Sequence, residues 1–336
     1  MNPFTPEPAA SVAALGERRL LLAIRAWLGD VAPPPPWGMG DDCAVLETGL
    51  AETLLATTDG VVYGRHFDDD AAPAAVGAKL VKRNLSDIAA MGGMPGPALI
   101  NLLLARNTSM AWLQEFYAGV AQCCRQHGVN LVGGDVAQGP DGVFAAHLTL
   151  LGIPGPSVLK RTGAQIGDTL FVTGELGGSI LGRHLTFTPR LAEGQWLARQ
   201  KGVRGVIDVT DGLAKDLPDI LPPGANASLD TAALPVSAEA RHLAERDGGS
   251  ALVHALTDGE DYELLFALNS QSAPDVFENL WRKDWPTPLT RIGKIIAATD
   301  ATHATGQAPD GDRQLRDALT GALLLAPGAH GYEHLH

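Results

Sequence analysis

Cysteine is scarce: three in 336 residues, Cys43, Cys123 and Cys124. No two of them form a CxxC pair, which excludes a zinc ribbon and a thioredoxin-type redox site. An odd count in a chain of this length fits a reducing compartment, and each reads as a small core residue. Basic residues are in deficit, 25 Lys and Arg against 38 Asp and Glu, for a formal net charge of −13. Nucleic acid and anionic lipid both select for positive charge, so neither is an expected partner. No apolar run reaches the roughly 18 residues that span a bilayer. The opening MNPFTPEPAASVAALGE has no basic segment followed by an apolar stretch, so no signal peptide is expected and the expected location is cytoplasmic. Several signatures of chemistry are missing too. There is no GxxxxGK[ST], no GxGxxG between a strand and a helix, no HExxH and no GxSxG. Any use of ATP is therefore not through a P-loop, and neither a covalent nucleophile nor a general base is indicated.

What is present describes a packed globular chain, with 45% hydrophobic and 19% charged residues. At roughly 150 residues per domain the length suggests two domains, with the break expected near residue 153: 1–153 and 154–336. Apolar periodicity predicts a mixed α/β chain. In the first part it gives a helix from Ser11 to about Leu28 and an extended Pro33–Pro36. Strands follow near Ala44–Leu46 and Thr53–Thr58, a helix over Pro73–Met91, a strand near Ala98–Leu104 and a helix over Met110–His127. Two strands, near Asn130–Val132 and Val143–Gly152, close this part. The second part reads as strands at Thr169–Thr173, Val206–Val209, Ala227–Asp230, Tyr262–Leu268 and Leu289–Ala297. Its helices fall at Gly178–His184, Arg190–Arg199, Gly212–Ile220, Ser237–Arg246 and Ser250–Leu256.

The informative feature is a series of Asp-bearing turns at strand ends and helix mouths. They are Gly40-Asp41-Asp42, Thr57-Thr58-Asp59, Asn84-Leu85-Ser86-Asp87, Gly133-Gly134-Asp135, Asp208-Val209-Thr210-Asp211-Gly212 and Asp258-Gly259-Glu260-Asp261. Carboxylates among Gly, Ser and Thr are hard oxygen ligands, suited to Mg²⁺ rather than zinc. Mg²⁺ takes few carboxylates per ion and completes its shell with water and phosphate oxygens. Separated Asp turns thus point to a multi-metal site completed by a polyphosphate. Taken singly, each turn is as readily explained as turn chemistry or, for Asp211, a helix N-cap. Alternation puts Thr57 and Asp59 on one strand face, and likewise Asp208 and Thr210. Asp87 stands on a helix among Leu85, Ile88, Ala89 and Ala90, where a carboxylate is costly unless paired or coordinated.

In order and spacing, GMGDDCAVLE, TTDGVVYGRHF, KLVKRNLSDIAAMGGMP, LVGGDVAQGP, LKRTGAQIGDTLFVTGELGGS, IDVTDGLAKDL, GEDYELLF and GYEHL resemble the thiamine-monophosphate kinases of the aminoimidazole-ribonucleotide-synthetase-like ATP-binding superfamily. The resemblance runs from about Gly38 to His334. It implies a two-domain α/β fold of that superfamily, whose N-terminal sheet pairs with a second subunit in a homodimer. It implies Mg²⁺ ligands at Asp42, Thr57, Thr58, Asp59, Asp87, Asp135, Asp208 and Asp211. It implies ATP contacts at Gly134, Asp135, Arg161 and Thr210, and contacts to thiamine monophosphate at His66, Glu260 and Tyr332. Arg161 offers a planar fork for phosphate oxygens, and Tyr332 a ring for a heterocycle or cation. The chain departs from the family pattern in three places. Thr210 replaces the usual Ser, Asp258 stands where a Gly is usual, and Val136-Ala137-Gln138 stand where Thr-Thr-Arg commonly follows the GGD motif.

The implied reaction is transfer of the ATP γ-phosphoryl group to thiamine monophosphate. Two rivals stand beside it. One is another enzyme of the superfamily: a selenophosphate synthetase would carry a reactive Cys near the N-terminus, and none precedes Cys43. A carbamoyl-dehydratase maturation factor would end in Cys, whereas this sequence ends in His336. The other rival is a non-catalytic nucleotide- or metal-binding regulator, against which the intact Asp series argues.

Overall fold

The structure is a computed structural model that describes residues 41, 43–47, 53–298 and 313–325. The expected Ser11–Leu28 helix, the Pro33–Pro36 segment, Asp42 and Tyr332 lie outside the described residues.

The first sheet comprises β1 (Ala44–Glu47), β2 (Thr53–Val62), β3 (Met94–Leu104), β4 (Asn130–Gln138) and β5 (Phe144–Ile153), in the order β1-β2-β5-β3-β4. Neighbours are antiparallel except β3 and β4. Those two are parallel because helix α2 (Met110–His127) connects them as a crossover. Helix α1 (Pro73–Ala90) precedes β3 and starts with Pro at its first turn, where no backbone N–H is missed. Ser109 caps α2 by accepting from the Trp112 N–H, and Gly128, at φ 68°, ends it. All three cysteines are buried in this half, as expected.

α1 and α2 cross closely over the helix-covered face of the sheet. A Cβ on Gly119 would lie 1.9 Å from the Ala74 carbonyl oxygen, and one on Gly77 would lie 2.0 Å from that of Phe116. The opposite face of the sheet is open. Met94, Leu99 and Ile153 are exposed on it, and every residue of β4 is exposed.

The second sheet has the order β11-β8-β10-β6-β9-β7. Its strands are β6 (Thr169–Thr173), β7 (Val203–Asp208), β8 (Ala225–Leu229), β9 (Leu264–Leu268), β10 (Leu289–Ala297) and β11 (Leu315–Asp317). β6 and β9 are buried at every position. Their sequences TLFVT and LLFAL are accordingly almost unbroken apolar runs rather than alternating ones. Of helices α3 (Arg183–Thr186), α4 (Leu191–Leu197), α5 (Leu213–Ile220), α6 (Ala238–Asp247), α7 (Ala251–Thr257) and α8 (Pro274–Asp284), α5 and α7 pack on one face and α4 and α8 on the other.

Agreement with the sequence reading is close for α1, α2, β6 and β10. The helix expected over Gly178–His184 is instead a 3₁₀ turn at Ser179–Leu181 followed by the one-turn α3. Gly178 and Gly182 adopt φ 69° and 130°, outside the helical region. Helix α8 was not anticipated, although Phe277 and Trp281 at i, i+4 form its buried stripe. No helix among the described residues is long and apolar enough to cross a membrane.

The α1/α2 crossing carries a direct test. Gly119→Ala must push the helices apart, and overpacking of this kind costs about 1–3 kcal/mol. The expected result is a lower urea midpoint with an unchanged denaturant slope; an unchanged midpoint would contradict the crossing.

Candidate functional site

α1 is buried on nearly all sides, yet it carries Lys79, Arg83, Ser86 and Asp87. At steps of four, three and one, these four form a single stripe. The stripe faces the seam between the two sheets. Ser86 Oγ donates to Asp208 Oδ2 at 2.5 Å, joining α1 to the end of β7. Thr57 Oγ1 donates to Asp87 Oδ2 at 2.6 Å, joining it to β2. Arg83 Nε donates to Asp59 Oδ2 at 2.6 Å, and its Nη1 to the Gly60 carbonyl at 2.7 Å. Thr57, Asp59, Asp87 and Asp208 are thus each tied to, or carried by, the same short stretch of α1, Arg83–Asp87.

Thr58 differs. Alternation turns its side chain to the open face of the sheet, where its hydroxyl donates to the Leu148 carbonyl at 3.1 Å. No side-chain oxygen of Thr58 is on the acidic side, so any share in metal binding falls to its main chain.

The turn after β7 lies beside the turn before β9. Val209 N donates to the Glu263 carbonyl, Tyr262 N to that of Val209, and Glu260 N to that of Thr210, at 2.8, 2.8 and 2.6 Å. Inside the first turn, Asp216 Oδ2 accepts from the Thr210 and Asp211 amides at 2.8 and 3.0 Å. Burial pushes the Asp216 carboxyl well above its ordinary value, and the Asp211 charge adds to the shift. Asp211 itself pairs with Lys215 at 2.7 Å. Asp216 and Lys215 were not singled out from the sequence, and their place in LAKDL gives no local cue beyond an acid in the first turn of α5.

Glu260 is the most constrained acid of the set. Lys79 Nζ lies 2.8 Å from its Oε1, His184 Nδ1 lies 3.4 Å from its Oε2, and the Tyr262 hydroxyl donates to Oε1 at 3.0 Å. Burial raises its pKa, but the His184 hydrogen bond and the Lys79 and Arg83 charges outweigh burial and hold it well below the ordinary carboxylate range. Burial lowers Lys79 despite the Glu260 charge beside it. Lys79 also donates to the His66 carbonyl at 2.8 Å, which brings the His66 loop to the same seam. Glu260 and Tyr262 sit at φ 52° and 53°, a conformation that non-glycine residues hold only when the surroundings fix it. The departure at Asp258 has a structural account: its Oδ2 accepts from the Gly178 amide at 2.8 Å, and its Oδ1 faces His254 Nδ1 at 2.9 Å.

Arg161 approaches from the linker before β6. Its amide donates to Asp41 Oδ1 at 3.0 Å, and its Nη1 lies 3.3 Å from Asp219 Oδ2 on α5. The RTGA segment therefore touches the residue next to Asp42.

Gly134 and Asp135 stand apart from this cluster. β4 is three strands from β2, about 14 Å at the usual spacing. Asp135 pairs with Asn101, which in turn pairs with the exposed His147, so its side chain is on the open face. Gly134 is required where it is, since a Cβ there would lie 1.8 Å from the Ile100 carbonyl oxygen.

Among the described residues no three His, Cys, Asp or Glu side chains form a ready metal cage. The donors at the seam are Asp and Thr oxygens supplied from β2, α1 and the β7 turn. Hard oxygen donors dispersed in this way fit Mg²⁺ shared with phosphate and water, not a metal held by protein alone.

The region 40–153 matches the family described as AIR synthase related protein, N-terminal domain. A thiamine-monophosphate kinase of Rhodopirellula baltica is 38% identical over 273 residues, covering 78% of this chain and 84% of that one. The Escherichia coli thiamine-monophosphate kinase is 36% identical over 287 residues, covering 77% and 84%. Among solved structures, AaThiL complexed with AMPPCP and TMP superposes with a TM-score of 0.77 at 26% identity, covering 98% of this chain and 100% of that one. Hydrogenase maturation protein HypE in complex with ATP, at a TM-score of 0.63, 21% identity and coverage of 87% and 90%, shares the fold.

Asp261, next to Glu260, gives a pH test. Burial raises its carboxyl to about 8, against the Arg183 guanidinium 3.0 Å away. The native group keeps a proton that the unfolded one, with a pKa of about 3.9, releases. Stability therefore falls as pH rises from about 4 to 8, by at most ~1.4 kcal/mol per pH unit from this group. Melting temperatures between pH 5 and 8 should decline less steeply in Asp261→Asn than in the wild type; parallel curves would refute the assignment.

Proposed function

The chain belongs to the thiamine-monophosphate kinase family, and on that premise we propose that it transfers the γ-phosphoryl of ATP directly to the phosphate of thiamine monophosphate, giving thiamine diphosphate and ADP. The observation that carries this reading is the junction at α1. There Thr57 meets Asp87 and Ser86 meets Asp208, so acids from three separate motifs converge on one seam.

The acceptor is itself a phosphate. Its second pKa is about 6, so at neutral pH it is largely dianionic and needs no general base. The obstacle is repulsion between two polyanions. Two unit charges 4 Å apart interact by about 4 kcal/mol at an effective dielectric of 20. Mg²⁺ held by Asp42, Thr57, Asp59, Asp87, Asp208 and Asp211 would neutralise that charge and align donor with acceptor. The chain's own groups do the remaining work. Arg161 presents a planar fork to phosphate oxygens. The Thr210 main chain is fixed by Asp216 on one side and Glu260 on the other, so nucleotide meets a rigid turn. Glu260, locked by Lys79 and His184, keeps a fixed negative charge facing the acceptor. His66 and Tyr332 complete the acceptor contacts in this reading.

The open face of the first sheet, with Met94, Leu99 and Ile153 exposed, supports a homodimer. Asp135 stands on that face, so in this reading it acts where a second copy covers it, with Gly134 beside it on the same strand. We place the protein in the cytoplasm as two domains, 1–153 and 154–336, with nucleotide and metal where they meet.

The test is ADP release by the purified protein. It should require both Mg²⁺ and thiamine monophosphate, and no phosphorylated protein should form and decay at the turnover rate. Asp87→Asn should lower kcat about a hundredfold or more, the scale of losing one electrostatic stabiliser. Near-normal turnover by this variant would remove Asp87 from the metal set.

A further inference from the structure

His254 lies in the last turn of α7, where the carbonyl end of a helix favours a cation. Both of its ring nitrogens face carboxylates. Nδ1 is 2.9 Å from Asp258 Oδ1, four residues on, and Nε2 is 3.0 Å from Asp247 Oδ2 at the end of α6. A neutral imidazole has one N–H, so only the imidazolium donates to both. Burial lowers the His254 pKa, but the Asp258 and Asp247 carboxylates outweigh burial and raise it above the ordinary 6.5. Among the described residues, α5 and α6 are the helices packed against α7. From α6 the facing charge is Asp247, itself fixed by the Gly249 amide at 2.7 Å. On α5, Lys215 is bound to Asp211, and Asp216 to the Thr210 and Asp211 amides. The turn over 177–182 carries no charged residue, and Arg183 beyond it is bound to Asp261.

Asp258 passes this hold on to the site. Its Oδ2 also accepts from the Gly178 amide at 2.8 Å. The next residue, Gly259, has φ 74°, and a Cβ there would lie 2.6 Å from the Thr210 carbonyl oxygen. The Gly259 carbonyl accepts from the buried Ser179 Oγ at 2.6 Å. Glu260 follows, its amide bonded to the Thr210 carbonyl. Lys79 and His184 fix the Glu260 carboxylate from the seam side, and the His254–Asp258 clasp fixes the backbone behind it. With the Gly usual at 258, no side chain could make that clasp. We propose that His254 is a positioning residue for acceptor recognition: its imidazolium, held between Asp247 and Asp258, sets the backbone of the Gly259–Glu260 turn, and the setting relaxes when the ring loses its proton. The proposal rests on the reading that Glu260 faces thiamine monophosphate as the acceptor. Below pH 6.5 the clasp is complete, and it is lost as pH rises through the raised value of His254. Acceptor affinity therefore falls as pH rises.

Two measurements on the full-length protein test this, in the wild type, His254→Gln and Asp247→Asn. One is hydrogen exchange at the Gly259 and Glu260 amides, read as protection factors so that the intrinsic pH dependence cancels. The other is the KM for thiamine monophosphate and for ATP across the same pH range. Between about pH 6 and about pH 9 the wild type should lose protection, and its acceptor KM should rise, about fivefold, the scale of one ordinary hydrogen bond, with the KM for ATP within about twofold. His254→Gln should show at the lower pH what the wild type shows at the higher. Asp247 is exposed, so its variant is expected to fold even where His254→Gln does not. Losing one of the two carboxylates that favour the imidazolium should move the transition to lower pH, which a merely structural role would not do. The acceptor phosphate and Asp261 also titrate in this range, but alike in each protein, so the differences between proteins isolate His254. Unchanged protection in His254→Gln, an unmoved transition in Asp247→Asn, or one acceptor KM profile shared by the wild type and both variants would overturn the proposal. Normal phosphoryl transfer together with such a result sinks the clasp alone. The expected protection pattern in a protein that transfers nothing to thiamine monophosphate sinks the kinase reading and leaves the clasp standing.

Discussion

Lys79 and Glu260 meet at 2.8 Å across the seam, with the Lys79 side chain wholly buried. The site's geometry depends on that contact. A buried ammonium is costly, and removing the partner of such a pair typically costs about 3–5 kcal/mol because the remaining charge is stranded. Glu260 therefore cannot drift. Its amide is bonded to the Thr210 carbonyl, and Thr210 is part of the turn that carries Asp208 and Asp211. Four residues along α1 from Lys79, Arg83 fixes Asp59 on β2. A single helical stripe thus sets the spacing between the acids of the first sheet and those of the second. Its strength comes from bonds across the seam, and the positive φ of Glu260 and Tyr262 marks where the local chain yields to them.

Much of this was legible in the sequence, for physical reasons that differ by element. Strands β6 and β9 are apolar runs because both faces are covered, and α2 announces its start with Ser109 and its end with Gly128. The Asp turns could be found because Gly, Ser and Thr beside Asp are uncommon in cores and natural at strand ends. What could not be read was which side chains hold the acids. Lys79 and Arg83 look like surface charges in KLVKRNLSD until the second sheet covers them. A four-residue spacing between basic residues on an otherwise apolar helix was the available clue. Asp216 was hidden for the opposite reason: an acid near a helix start is ordinary, and its role of gripping two amides of the preceding turn appears only in three dimensions.

Asp135 shows where motif order and spatial order part. In sequence it is one Asp turn among six. In the fold it is on the far edge of the sheet and on the other face from Asp59. The period-2 rule that unites Thr57 with Asp59 is the same rule that turns Thr58 and Asp135 away. One chain therefore gathers most of the acids at the seam and leaves Asp135 on the exposed β4.

The acidity of the protein fits two anionic substrates once the charges are mapped rather than summed. At the seam, carboxylates either grip an arginine, a lysine or a hydroxyl, or stand ready for a dication. In the proposed reading phosphate meets metal and Arg161 there, not bare carboxylate, and the fixed turn at Thr210 holds donor and acceptor in line, which is what transfer between two phosphates needs most.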